Sequence, residues 1–135
     1  MIELSNTNAQ TIPAGQSVTF DKVLLHTGCA EYYRTEGPVF LTQKAAIYEA
    51  SFNGNIGGTA PGNAQIAITL NGAALQETTA KVVTAAAGDL QNVSASTLIK
   101  TPCCGIVTFN VLLTNTGTTD INFDKAGRLI VRRIA

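Results

Sequence analysis

Apolar side chains recur at every second position in several stretches of this chain, and turn-forming residues interrupt them about every ten positions. A period of two puts alternate residues on opposite faces of a pleated strand, so the pattern predicts an antiparallel β domain. It is clearest at Val107, Phe109, Val111 and Leu113, a core strand expected to begin after Gly105 and to end at the Asn115-Thr116-Gly117 turn. Ala46, Tyr48, Ala50 and Phe52 repeat it before Asn53-Gly54, and Ile66, Ile68 and Leu70 repeat it before Asn71-Gly72. Both dipeptides favour tight hairpin turns, because Asn and Gly tolerate positive φ.

Shorter candidate strands are Val18 to Leu25, Val39 to Thr42, Leu75 to Thr84, Gln91 to Ile99, Ile121 to Phe123 and Arg128 to Ile134, for about ten in all. In the first of these the apolar face moves from Val18 and Phe20 to Val23 and Leu25, which predicts a bulge or bend near Asp21-Lys22. Thr78 to Ala87 carries helix-favouring alanines, but Val82, Val83 and the neighbouring threonines predict a strand followed by a loop. Gly57 to Gly62 reads as a surface loop. The closing run from Leu129 to Ile134 is apolar on both faces, which predicts a central strand. No linker, internal repeat or low-complexity segment interrupts the chain. Residues 1–135 therefore read as a single all-β domain, with a sandwich, a jelly roll or a small barrel as the architectures that fit.

Charge and composition narrow the partners. Nine Lys plus Arg balance nine Asp plus Glu, so nothing in the totals favours a nucleic acid. Charged residues make up 13% of the chain, against about 25% in ordinary soluble domains, while 45% are hydrophobic. That excess predicts surface buried against another subunit. The segment after Met1 has neither a basic stretch nor an apolar core of the signal-peptide kind, and no apolar run is long enough for a membrane span, so neither signal targeting nor membrane insertion is expected.

Candidate chemistry is sparse. The single His26 lies among Val and Leu, where a packed or surface role is commoner than catalysis, and no nucleophile and base stand at a recognisable spacing. Glu31 with Glu36, and Asp120 with Asp124, read as solvated loop charges; no phosphate-cradling motif is present. Asp120, Asn122 and Asp124 offer oxygens to a cation but lack the rest of a calcium loop. The chain thus reads as a non-enzyme that needs no cofactor and holds no metal. Adjacent Cys103 and Cys104 have Cα atoms about 3.8 Å apart, below the ~4.4 Å of ordinary disulfides, so a bridge between them would be strained. Free thiols are favoured, one bridge from Cys29 to either partner stays open, and the C-x-x-C spacing of metal sites is missing. Tyr32, Tyr33 and Arg34, in an irregular stretch between Gly28 and Gly37, are the candidate ligand-recognition loop. Arg128, Arg132 and Arg133 form the basic cluster, with pairing to carboxylates or to the Ala135 terminus across subunits favoured over an anion site.

Several of these stretches resemble the jelly rolls of the tumour necrosis factor and complement globular-head superfamily, in its bacterial and phage branch, which includes C-terminal domains of spore-surface filament proteins. Ala46-Ile47-Tyr48-Glu49-Ala50-Ser51-Phe52 is similar to a strand that the family writes Gly-x-Tyr-x-(Ile/Val)-x-Phe, with Ala46 in place of the glycine. Ile68-Thr69-Leu70-Asn71-Gly72 resembles the next hairpin, Thr101-Pro102-Cys103-Cys104 with Val111 to Thr119 a Pro-Cys-Cys segment and strand end, and Arg128 to Ile134 the closing strand. The likeness runs from about Val18 to Ile134. It implies an antiparallel jelly-roll sandwich of about ten strands, assembled as a homotrimer and without catalytic activity. Tyr48, Phe52, Ile130, Arg132 and Ile134 are then the candidates for the trimer axis or interface. Members display or attach, which implies a virion surface component such as a capsid decoration, head fibre or tail attachment protein, with other virion or surface-layer proteins as partners. No Gly-X-Y repeat precedes the domain, so a filament tip is not the expectation. The alternative is a lectin-like or receptor-binding module of a bacterial cell or spore surface, taking a host-surface glycan at Tyr32, Tyr33 and the Gly57 to Gly62 loop.

Overall fold

The computed structural model of the chain describes residues 1–28, 31–33, 39–105 and 109–135, with the backbone alone for 31–33. Among these, thirteen strands follow one another as β1 (Ile2–Ser5), β2 (Gln10–Ile12), β3 (Lys22–His26), β4 (Glu31–Tyr33), β5 (Val39–Leu41), β6 (Ile47–Gly58), β7 (Gly62–Leu70), β8 (Ala73–Ala74), β9 (Ala80–Thr84), β10 (Gln91–Lys100), β11 (Phe109–Thr114), β12 (Ile121–Phe123) and β13 (Arg128–Arg133). A 3₁₀ turn, Gln76–Thr78, lies between β8 and β9. The strands form two antiparallel sheets. In the first, β10 lies along one side of β6, and β13, β1 and β3 follow on the other; β12 and β2 continue that side past the end of β13. The second runs β4-β5-β11-β7-β8, with β9 also against β7.

Alternation explains which side each strand buries. Tyr48, Ala50, Phe52 and Ile56 of β6 turn inward, as do Leu129 and Val131 of β13, and they meet Ile66, Ile68, Val111 and Leu113 of the second sheet in one core. Closing the core at one end, the rings of Phe20 and Phe123 meet edge to face with centroids 6.4 Å apart. The closing strand is central, as its two apolar faces predict: β13 lies between β6 and β1.

Two expectations change in the folded chain, and the expected bend near Asp21-Lys22 gains its cause. Asn71-Gly72 turns as read, with φ of 52° and 85°, but Asn53-Gly54 does not: β6 runs straight through it for 12 residues. Gly54 is there to clear an aromatic ring, since a Cβ built on it would lie 2.8 Å from Phe123 Cζ. The glycine-rich loop shrinks to a turn at residues 59–61, because Gly57 and Gly58 are buried members of β6. Backbone of the loop between β9 and β10 packs on Gly57 so closely that a Cβ would fall 1.9 Å from the Asp89 carbonyl oxygen. The shift near Asp21-Lys22 is a crossing between sheets: Ser17 bridges Thr114 of the second sheet, whereas Lys22 to His26 pair with β1 of the first. The N-terminal strands β1 and β2 were not among the strands predicted.

That crossing is fastened by Asp21, whose carboxylate accepts the Thr7 backbone N–H at 2.8 Å and a close contact from the Thr7 hydroxyl. The hydroxyl, then the N–H, hold the Asp21 carboxyl below its ordinary value of 3.8. A depressed folded-state pKa gives stability that is present above the unfolded value and lost as pH falls through the folded one. Urea midpoints measured against pH should therefore drop less steeply below pH 3.8 for Asp21→Asn than for the natural chain; parallel curves would count against the assignment.

Candidate functional site

The outer face of the first sheet collects more of the singled-out residues than any other surface described. Its register sets them in rungs across the strands. One rung is Leu98, Glu49 and Arg132; the next is Ser96, Ser51, Ile130, Glu3 and Leu25; a third holds Ser94, Asn53 and Arg128. Each position is outward because its neighbours along the strand, such as Tyr48, Ala50, Phe52, Leu129 and Val131, fill the core.

The two arginines on this face, Arg128 and Arg132, are each paired with a carboxylate of the same face. Arg132 Nε donates to Glu49 Oε1 at 3.0 Å, and an Arg128 guanidinium nitrogen lies 3.5 Å from Glu3 Oε1. Both pairs are partly exposed, where such contacts contribute about 0–1 kcal/mol, so their main effect is to cancel the field rather than to stabilise the fold. Arg133 turns aside and donates from Nε to the Ala135 oxygen at 3.0 Å. The basic cluster thus finds carboxylate and terminal partners within one chain, where the sequence favoured partners across subunits. Between the pairs, Ser51 and Asn53 floor a shallow groove of about 760 Å³ bordered by Ser94, Ser96, Arg128 and Ile130. Further along the same face, beyond the groove, Leu98 is 62% exposed and Ile134 48%. A neutral polar floor bordered by Ile130 suits contact with protein.

The candidate interface set divides. Ile130, Arg132 and Ile134 lie on this outer face, but Tyr48 and Phe52 do not: at 0% and 3% exposure they belong to the chain's own core. The alternation groups Tyr48 with Phe52 correctly and leaves open which face of β6 they take; a core needing large side chains opposite Ile66 and Ile68 decides it. Of the recognition candidates, Tyr32 and Tyr33 are in β4, paired with Phe40 and Val39 of β5, so their backbone is strand rather than irregular loop. Arg34 and Cys29 lie outside the described residues. Cys103 and Cys104 are exposed free thiols with sulfurs 3.3 Å apart.

Carboxylates elsewhere are engaged in local structure. Glu77 accepts the Thr97 hydroxyl at 2.9 Å, and its own backbone N–H followed by that hydroxyl lowers its pKa. Asp124 accepts the Lys125 N–H at 2.8 Å, and Asn122 Oδ1 accepts the Thr11 hydroxyl at 3.1 Å, so two of the three side chains considered for a cation serve local structure around β12. Among the described residues no three His, Cys, Asp or Glu side chains gather closely enough for a metal ion, and no helix is long and apolar enough to cross a membrane. Ser51, Asn53, Ser94 and Ser96 escape a reading of the sequence alone, because serine and asparagine carry no chemical signature there. The available signal was their period of two opposite the core positions.

No protein-family model matches the chain, and no curated protein matches it in sequence. Among solved structures it is similar to PRD1 vertex protein P5, with a TM-score of 0.55 and 14% identity over 99% of this chain and 96% of that one. That likeness shows the fold, a jelly-roll-like β-sandwich. Fainter likenesses are to the CBM22-1–GH10 modules of Clostridium thermocellum endo-1,4-beta-D-xylanase 10B (TM-score 0.43, 12% identity, 100% of this chain and 28% of that one) and to a family 35 carbohydrate binding module from the same organism (0.39, 12%, 92% and 98%). At those scores neither carries weight.

Proposed function

We propose that this chain is a non-enzymatic structural protein exposed on a virion surface, a tumour-necrosis-factor-like jelly roll that assembles as a homotrimer. What carries the reading is the likeness over nearly the full length of both chains to a protein named for a particle vertex. The outer sheet face supports it. Paired arginines, a neutral floor and the exposed Leu98 and Ile134 make a surface that a second copy can cover at less cost than one bearing unpaired arginines. The carboxylates of Glu3, Glu49, Asp21, Glu77 and Asp124 each serve a structural contact, which fits a scaffold better than an acid–base catalyst.

Light scattering of the purified chain tests the assembly. The expected mass is about 42 kDa, three copies of the 14.1 kDa chain. Changing Ile130 and Ile134 together to Asp should bring it down to one copy while the circular dichroism of the folded sheets persists, because both side chains lie outside the core. A natural chain that runs as a monomer at high concentration would sink the trimer, and a double variant that stays trimeric would remove this face from the interface.

A further inference from the structure

The thiol pair on the segment after β10 is built for chemistry that the proposed structural role does not use. Thr101 pins the start of that segment: its hydroxyl donates to the Gln43 carbonyl at 2.7 Å and accepts the Ala46 N–H at 2.9 Å, while its backbone N–H donates to Ala46 O. One residue on, the Pro102 carbonyl accepts the Ala45 N–H at 2.9 Å. From this anchored base Cys103 and Cys104 project into solvent, and their sulfurs approach to 3.3 Å. Cys103 also lines a mostly apolar recess of about 670 Å³ walled by Ala45, Ile47, Pro102, Phe109 and Ala135. Two sulfurs supply half of a tetrahedral zinc shell, and no further Cys, His or carboxylate among the described residues joins them.

We propose that Cys103 and Cys104 form a reversible dithiol–disulfide modification site that reacts with small-molecule disulfides. In the first step the thiolate of one cysteine attacks a sulfur of the external disulfide; that S–S bond breaks, and one small thiol leaves with the electron pair and takes up a proton. The neighbouring cysteine, deprotonated in its turn, attacks the protein sulfur of the mixed disulfide, closing the Cys103–Cys104 bond and expelling the second small thiol. The protein pair loses two electrons and two protons, and the external disulfide is reduced to two thiols. Proximity favours the second step, since the sulfurs need only close from 3.3 Å to about 2.05 Å. Ring closure between adjacent residues is strained, so the bond opens again in modest thiol. The pair is accordingly reduced in a glutathione-rich cell interior and closes outside it.

The experiment treats the full chain with oxidised glutathione, alkylates remaining thiols with iodoacetamide and digests with trypsin. Cleavage after Lys100 and Lys125 leaves both cysteines on one peptide and Cys29 on another. The expected product is the 101–125 peptide lighter by two hydrogens, with neither alkyl group nor glutathione, and restored to two alkylated cysteines by prior dithiothreitol. In Cys103→Ser and Cys104→Ser the reaction should stop at the glutathione adduct. Phenylarsine oxide, a trivalent arsenical that takes two thiolates, should bind once per chain and block alkylation of both cysteines, and protection should disappear in either single variant. Glutathione retained on the natural peptide, a covalent link to the Cys29 peptide, or alkylation undiminished by the arsenical would each overturn the assignment.

Discussion

Phe123→Ala is expected to cost about 3–5 kcal/mol of unfolding free energy, a large share of the ~5–15 kcal/mol that holds a domain of this size. The side chain is fully buried and its ring meets Phe20 edge to face. What raises the cost toward the top of the range is that the vacated space cannot collapse. Backbone already presses on the ring at Gly54 and at Gly127, where a Cβ would fall 2.2 Å from Phe123 Cε1. Those walls carry no side chain that can swing into the gap, and both are tied in place, Gly54 by pairing with Val93 and Gly127 by its N–H to Asn6 Oδ1 at 2.9 Å. β12 is only three residues long, so losing its anchor also loosens the pairing to β2. Urea denaturation read by circular dichroism gives the number; a loss below about 1 kcal/mol would mean that the ring is not a core side chain.

Asn115→Ala should follow at about 3 kcal/mol, for a different reason. Asn115 is completely buried, and its amide nitrogen donates to Ile12 O and Thr119 O, both at 2.9 Å, while Oδ1 accepts the Gly117 N–H at 3.0 Å. Alanine would strip three backbone groups of their partner, the Ile12 carbonyl in a place water does not reach and the other two nearer the surface, at about 1 kcal/mol apiece. Asn115→Asp keeps the shape but sets an oxygen against two carbonyls, so it should destabilise at least as much as alanine. The paired variants, compared by denaturant midpoint, separate hydrogen bonding from packing; an aspartate as stable as the natural chain would overturn the bonding account.

Legibility in the sequence followed the range of the interactions. Ile66 to Leu70 with Asn71-Gly72 was readable, since alternation and a two-residue turn are settled by neighbours along the chain. Asn53-Gly54, the same dipeptide, misled because its conformation is set by the distant Phe123 ring. Strand β1 escaped notice for want of length: Ile2 and Leu4 are too few to display a period, although both are fully buried. At the candidate site the arginines were visible but their partners were not. Glu49 and Glu3 become neighbours of Arg132 and Arg128 only through the register of β6, β13 and β1. Adjacency of the two cysteines was plain, whereas the approach of their sulfurs depends on a turn that sequence does not specify.

The place of β13 between β6 and β1 bears on how the chain matures during synthesis. Ile2 pairs with Val131, so β1 waits for β13, more than a hundred residues further along, before the sheet can close. Until then β1 has β3 alone on one side, and β6 and β1 each present a bare row of amides and carbonyls. Closure over so long a separation is slow, on the order of milliseconds to seconds for sheets dominated by distant pairings. A ribosome-bound nascent chain therefore carries two open edges that match each other and, equally, those of a neighbouring nascent chain. Loss of β13 would remove one of the thirteen strands among the described residues yet divide the sheet in two, making β13 the strand that commits the molecule to its shape.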